Sequence, residues 1–236
     1  MKRHILAWIV LATVAFGLPR QAFLTQWKAA SGAFSPLDLN PLVWYKGDGD
    51  TVDSSGNDYT GTWRGTASYT NGVNGQAFAI GASESAVLSA SAAGMSTTSG
   101  TICFWIMPNW INTDGETHYF AEAFGTGARQ LLFFKGSTSV TAIYTDSTSR
   151  GSSSLSVWDD SWVFVTLIIG DNLLYVDGVL VADFSDGVFG AGSETLAIGD
   201  RQSGAGNSAD SAIDDFMIFT NVLSTAEITQ IYNYRE

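Results

Sequence analysis

One cysteine, two histidines and four prolines stand in 236 residues, and each scarcity removes a class of explanation. With Cys103 alone no internal disulfide forms, so stability has to come from an apolar core or from a bound metal. Cys103 lies inside Thr101-Ile102-Cys103-Phe104-Trp105-Ile106 and reads as a small core hydrophobe. The histidines are His4 and His118, too few for a zinc centre of Cys and His ligands. A Ser-His-Asp triad would need His118, which reads as a solvated loop residue. Cations are scarce as well: 11 Lys and Arg against 23 Asp and Glu give a formal charge of −12. That balance excludes nucleic acid as a partner and disfavours an anionic membrane surface, because phosphate binding needs clustered Lys and Arg. The apolar run Ile5 to Gly17 is too short for a stable membrane span. Behind Lys2, Arg3 and His4 it reads as a secretory signal over residues 1–22, with a retained anchor or an assembly segment as alternatives, followed by a linker or N-terminal arm over residues 23–41.

What is present is a strand pattern. From Leu42 onward, short apolar runs recur about every ten residues between clusters of Gly, Ser, Asn and Asp, which predicts one all-β domain over residues 42–236. Its most informative stretch is Trp162 to Val181, WVFVTLIIGDNLLYVDGVLV. Gly170-Asp171-Asn172 breaks the first run, and Asp177-Gly178 is a strong hairpin signal because both central residues of a type I′ turn need φ > 0. Only Thr166 is polar within Trp162 to Ile169, so both faces of that strand should be covered and the strand should be central. The runs predict two facing antiparallel sheets of about six or seven strands each, including one at Leu155 to Val157. Ser147 to Ser156 is low in complexity and reads as a mobile loop or hairpin tip. Ser224-Thr225-Ala226-Glu227 is a capping box, and Ile228, Ile231 and Tyr232 continue it as the apolar face of a short C-terminal helix.

Three blocks carry a family resemblance. They are the tryptophan-led strand with its Leu174-Tyr175-Val176-Asp177-Gly178 hairpin, the closing Ala212 to Phe219 with Val222 to Ile228, and the opening Leu42-Val43-Trp44-Tyr45 followed by Asp53-Ser54-Ser55-Gly56-Asn57. In this order they resemble the laminin-G-like, concanavalin A-like lectin/glucanase superfamily. The resemblance implies a concanavalin A-like jelly-roll sandwich of two antiparallel sheets. Superfamily members that hydrolyse glycans carry two or three carboxylates on one strand, commonly E-x-D-x-x-E. Here Glu84, Glu116, Glu122, Glu194, Glu227 and Glu236 form no such cluster. The expectation is therefore a non-catalytic, secreted carbohydrate-binding or adhesion module whose partner is a glycan or a cell-surface or virion-surface component. The alternative is a structural surface protein, such as a virion decoration, fibre or filament subunit; a glycoside hydrolase ranks third.

Candidate ligand-binding residues are aromatics beside polar stretches. Trp110, His118 and Tyr119 flank Ile111 to Glu116, and Tyr59, Trp63 and Tyr69 flank another such stretch, where rings can stack on a sugar face while polar groups hold its hydroxyls. Arg129, Arg150 and Arg201 stand at loop edges, positioned for an anionic sugar. Asp48, Asp50 and Asp53, with Asn57, concentrate anionic oxygen in one loop, which suits structural Ca²⁺. The resemblance adds Asp214 or Asp215 as a distant ligand.

Overall fold

Strand β11 (Val163–Ile169) is buried along its whole length, because each of its faces is apolar and each is covered. Val163, Val165, Leu167 and Ile169 enter the cluster between the sheets. On its other face Phe164 meets Trp105, with ring centroids 5.1 Å apart, and Tyr232 at 5.8 Å. Tyr232 belongs to the one α-helix among the described residues, α1 (Thr225–Tyr232). The computed structural model describes residues 34–82, 86–89, 99–111, 113–125, 128–137, 140–144, 149–153, 158, 161–171, 173–183, 195–201 and 207–236. Residues 1–33, with the expected signal and most of the arm, lie outside these, as do Leu155 to Val157. The compact unit runs from Pro36 to Glu236 and opens with a 3₁₀ turn, Pro36–Leu39.

Two antiparallel sheets make up the unit. In the first, in spatial order, stand β13 (Val179–Asp183), β12 (Leu173–Val176), β11, β6 (Gly100–Pro108), β15 (Ser211–Phe219), β4 (Gln76–Ile80) and β3 (Tyr69–Asn71). Strand β1 (Val43–Tyr45) also pairs with β15, giving eight strands among the described residues. The second sheet runs β10 (Ser149–Ser153), β9 (Val140–Tyr144), β8 (Ala128–Lys135), β7 (His118–Gly125), β14 (Thr195–Ile198), β5 (Ala86–Ser89) and β2 (Gly61–Arg64). Side chains of both sheets form a single core, in which Phe104 stacks on Phe216 and Phe120 on Trp158. At one flank Trp63 of β2, Tyr69 of β3 and Phe78 pack together and close the gap between the sheets.

The hairpin forms as its sequence requires. Asp177 and Gly178 both have positive φ, and Val176 faces Val179 across the turn. The helix starts at the capping box: Glu227 N–H donates to Ser224 Oγ, and Ser224 N–H donates to the Glu227 carboxylate at 2.7 Å. Tyr232 stacks on Trp105 and the Arg235 guanidinium lies over the same indole, so helix and tail cover the outer side of the first sheet.

Two expectations change, and one strand lies where none was read. The first sheet holds eight strands rather than six or seven. Ser149–Ser153, inside the segment expected to be a mobile loop or hairpin tip, is strand β10, held by its antiparallel ladder to β9. Tyr69–Asn71, which lacks a period of its own, becomes β3 by pairing with β4. In both cases the partner strand supplies the hydrogen bonds, so pairing overrides a weak local signal.

Candidate functional site

At one end of the sandwich the chain leaves β6, passes Trp110 and returns into β7, building a polar cluster on an aromatic base. Trp110 Nε1 donates to the Ala209 carbonyl at 2.8 Å, and its ring lies parallel to His118 with centroids 5.0 Å apart. His118 Nε2 donates to Asp114 Oδ2 at 2.8 Å, and Nδ1 lies 3.3 Å from the Ser208 carbonyl. Both ring nitrogens thus face acceptors of the protein. Lys135 ends β8 opposite His118 and is fully buried. Its ammonium donates to Asp114 Oδ1 and to the Glu116 carbonyl, and lies 5.0 Å from the Trp110 centroid. Burial alone would raise the Asp114 pKa, but the hydrogen bonds from Lys135, His118 and the Glu116 N–H outweigh it and hold the carboxyl at about 2. Beside this network opens a cleft of about 250 Å³, whose wall includes Asp114, Glu116, His118, Asn207, Ser208 and Asp210.

Two sequence expectations are corrected here. Trp110 is 5% exposed and spends its faces on protein groups, so it forms the floor of the cluster and offers no open platform to a sugar. His118 is buried as the first residue of β7, not solvated on a loop, because Asp114 and Ser208 satisfy its ring nitrogens. Lys135 and the segment at Ser208 went unnoticed in the sequence. The one local signal was a lysine closing the apolar run Leu131-Leu132-Phe133-Phe134.

Tyr119, the next residue along β7, is half-buried and carries the Arg201 guanidinium over its ring at 5.4 Å. Arg201 Nε also lies 3.9 Å from the buried Glu122 carboxylate. Close by, Arg64 donates to Asp200 Oδ2 at 2.6 Å and to the Arg201 carbonyl at 2.8 Å. Arg129 and Arg150 lie on β8 and β10, with side chains outside the described set. Tyr59 does not join this group: it packs half-buried against the core, its carbonyl accepts from Tyr45 Oη, and its N–H donates to Asp53.

The expected calcium ligands divide. Asp53 accepts from Trp44 N–H and Ser55 N–H at Oδ1, and from Ser55 Oγ and Tyr59 N–H at Oδ2, so its charge organises the turn. Asn57 turns its amide nitrogen toward the Pro41 and Leu42 carbonyls, while exposed Asp50 accepts from Val52 N–H. These three are not gathered as a ligand set; each is spent on backbone groups of the chain. The other acidic group stands at the β15 irregularity, where Asp215 takes φ +48 and the register with β6 shifts. Asp214 Oδ2 accepts from Val73 N–H and Asn74 N–H, while Asp215 accepts from Trp44 Nε1 at 2.7 Å and Asn74 Nδ2 at 2.6 Å. A Cβ on Gly72 would stand 2.5 Å from Asp214 Oδ2, so only glycine fits beneath the turn. Asp48 reaches the far side of the same turn and accepts from Gln76 N–H. Burial raises both carboxyl pKa values, and the Asp215 charge raises that of Asp214 further. Asp214 Oδ1 is buried without a hydrogen-bond partner, the kind of orphan oxygen that a cation would satisfy. Among the described residues no three His, Cys, Asp or Glu side chains are grouped to hold a metal.

The superfamily profile described as concanavalin A-like lectin/glucanases matches residues 81–229. The chain belongs to this superfamily. No curated protein matches it. Among solved structures it is similar to domain 4 of an extracellular GH43 arabinanase from Geobacillus stearothermophilus, in complex with arabinotriose, at 18% identity and TM-score 0.63, covering 82% of this chain and 98% of that one. It is also similar to the binding domain of botulinum neurotoxin DC in complex with rat synaptotagmin II, at 18% identity and TM-score 0.67, over 84% of this chain and 52% of that one. A third is the serotype D ligand-binding domain in complex with N-acetylneuraminic acid, at 17% identity and TM-score 0.61, over 82% and 50%. The chain thus spans about half the length of the toxin domains and nearly all of the arabinanase domain. At these identities the likeness is one of concanavalin A-like fold. No helix among the described residues is long and apolar enough to cross a membrane.

Proposed function

We propose that this domain is a non-catalytic, extracytoplasmic carbohydrate-binding or adhesion module whose ligand site is the cleft at Trp110 and His118. The observation that carries the reading is the wall of that cleft: Glu116, Asp210 and Asn207 line it over the buried Trp110–His118 base, offering carboxylates and an amide to sugar hydroxyls. Fold relatives in complex with arabinotriose and with N-acetylneuraminic acid support a sugar as ligand. A non-catalytic role fits the electrostatics. Asp114, locked by Lys135 and His118, stays ionised and has no proton to give as a general acid at neutral pH. The basic and apolar N-terminal sequence supports export. The test is affinity electrophoresis through polysaccharide gels together with a glycan array, comparing wild type with Asp210→Ala. Retardation by at least one polysaccharide is expected, weakened in the variant; no binding to any sugar would abandon the reading in favour of a structural surface role.

We also propose a structural Ca²⁺ at Asp214, supported by the orphan Oδ1. When bound, the ion would neutralise the buried pair and tie the Gly72 turn to β15.

A further inference from the structure

We propose that the Trp110–His118 cleft ranks glycans by charge, taking amino sugars most tightly, neutral sugars next and uronate- or sialate-bearing sugars least. The inference rests on the reading of this cleft as the glycan site and adds the class of sugar it selects.

The site's cations face inward. Lys135 is fully buried and spends its ammonium on Asp114, the Glu116 carbonyl and the Trp110 ring, leaving nothing for a ligand. Both ring nitrogens of His118 face acceptors of the protein, Asp114 and the Ser208 carbonyl. The anions are arranged the other way. Asp114 is neutralised by its partners, but Glu116 and Asp210 line the same cleft, and among the described residues neither carboxylate has a hydrogen-bond or ion-pair partner. Glu116 is exposed and Asp210 half-buried, so both act on a bound ligand through partly aqueous surroundings. Among the described residues, a sugar carboxylate entering here meets two carboxylates without a partner and no free cation. A sugar ammonium finds two carboxylate acceptors. The chain's formal charge of −12 adds to the same bias at longer range. Two charges about 4 Å apart at a wet surface interact enough to separate neighbouring classes roughly tenfold in affinity.

Asp210 has φ +44, a left-handed conformation that asparagine also accepts, so Asp210→Asn removes the charge without straining the backbone. Glu116→Gln does the same at the exposed position. The experiment is a glycan array of chitosan, neutral and uronate- or sialate-bearing oligosaccharides, probed with the full chain as wild type and as the Glu116→Gln/Asp210→Asn double variant, at low salt and in about 1 M NaCl, where the screening length falls to about 3 Å. The expected result is the stated order in wild type at low salt, compressed in the double variant and in high salt. A ranking led by acidic sugars overturns the inference while leaving the glycan reading in place. So does an order unchanged in the double variant, which would assign the bias to the rest of the acidic surface. A silent array removes both.

Discussion

Asp114 shows how one residue shapes the site. Its two carboxylate oxygens receive Lys135, His118 and a backbone N–H, so a charge that would be costly alone becomes the joint between two strands. The pH dependence follows from the sign of its shift. The folded pKa of about 2 lies below the unfolded value of about 3.9, so the stabilisation is complete above about pH 4 and is lost as pH falls toward 2. Thermal melts of wild type and Asp114→Asn should therefore draw together as pH falls from about 4 toward 2 and stay apart above pH 4, with the variant less stable; parallel curves across that range would contradict the assignment. Residue types at this site were legible in sequence as aromatics flanking a polar stretch, but burial was not. Trp110 and His118 are drawn inward by Ala209, Ser208 and Lys135, which are distant in the chain and carry no mark of that contact.

At the scale of elements, local chemistry decided where it was strong. The Asp177-Gly178 turn and the Ser224 capping box form where the sequence places them, because each is satisfied by residues within a few positions. Replacing Ser224 by Ala should cost about 1 kcal/mol in urea denaturation, the usual effect of losing an N-cap, with the denaturant slope unchanged. A loss nearer zero would mean that packing of Ile228 and Ile231 alone holds the helix. Where local chemistry was weak, neighbours decided: β3 and β10 exist because β4 and β9 present ladders to them. The β15 irregularity belongs to the same class. Consecutive aspartates in a strand should point to opposite faces, but the left-handed Asp215 re-aims the pair so that both accept from Asn74 beneath the same turn.

At the scale of the whole molecule, the closing strand β15 lies between β6 and β4 and also pairs with β1, so the two ends of the sandwich unit meet at Asp214 and Asp215. A cation there would link segments 140 residues apart, as Asn74 already does through Asp214. If Ca²⁺ binds only the folded chain, a hundredfold excess over Kd adds about 2.7 kcal/mol, and the melting midpoint should rise by several degrees against chelator. Asp214→Asn should abolish that rise and Asp53→Asn should not, since Asp53 is committed to its own turn. An equal midpoint with and without Ca²⁺ in wild type would refute the metal proposal.

The sequence by itself determined the all-β class, the hairpin, the capped helix and a central strand apolar on both faces, since these rest on period, turn residues and capping within short windows. Only the tertiary structure decided that Trp110 is a floor, that Asp53 and Asn57 are spent on backbone groups, and that, among the described residues, Glu116 and Asp210 have no partner beside a network whose cations are already spent. Burial and pairing depend on which segments the sheet order brings together. Long-range registers such as Asp214 with Trp105 and His118 with Lys135 are set by the fit of two complete surfaces, and no short window of sequence contains both.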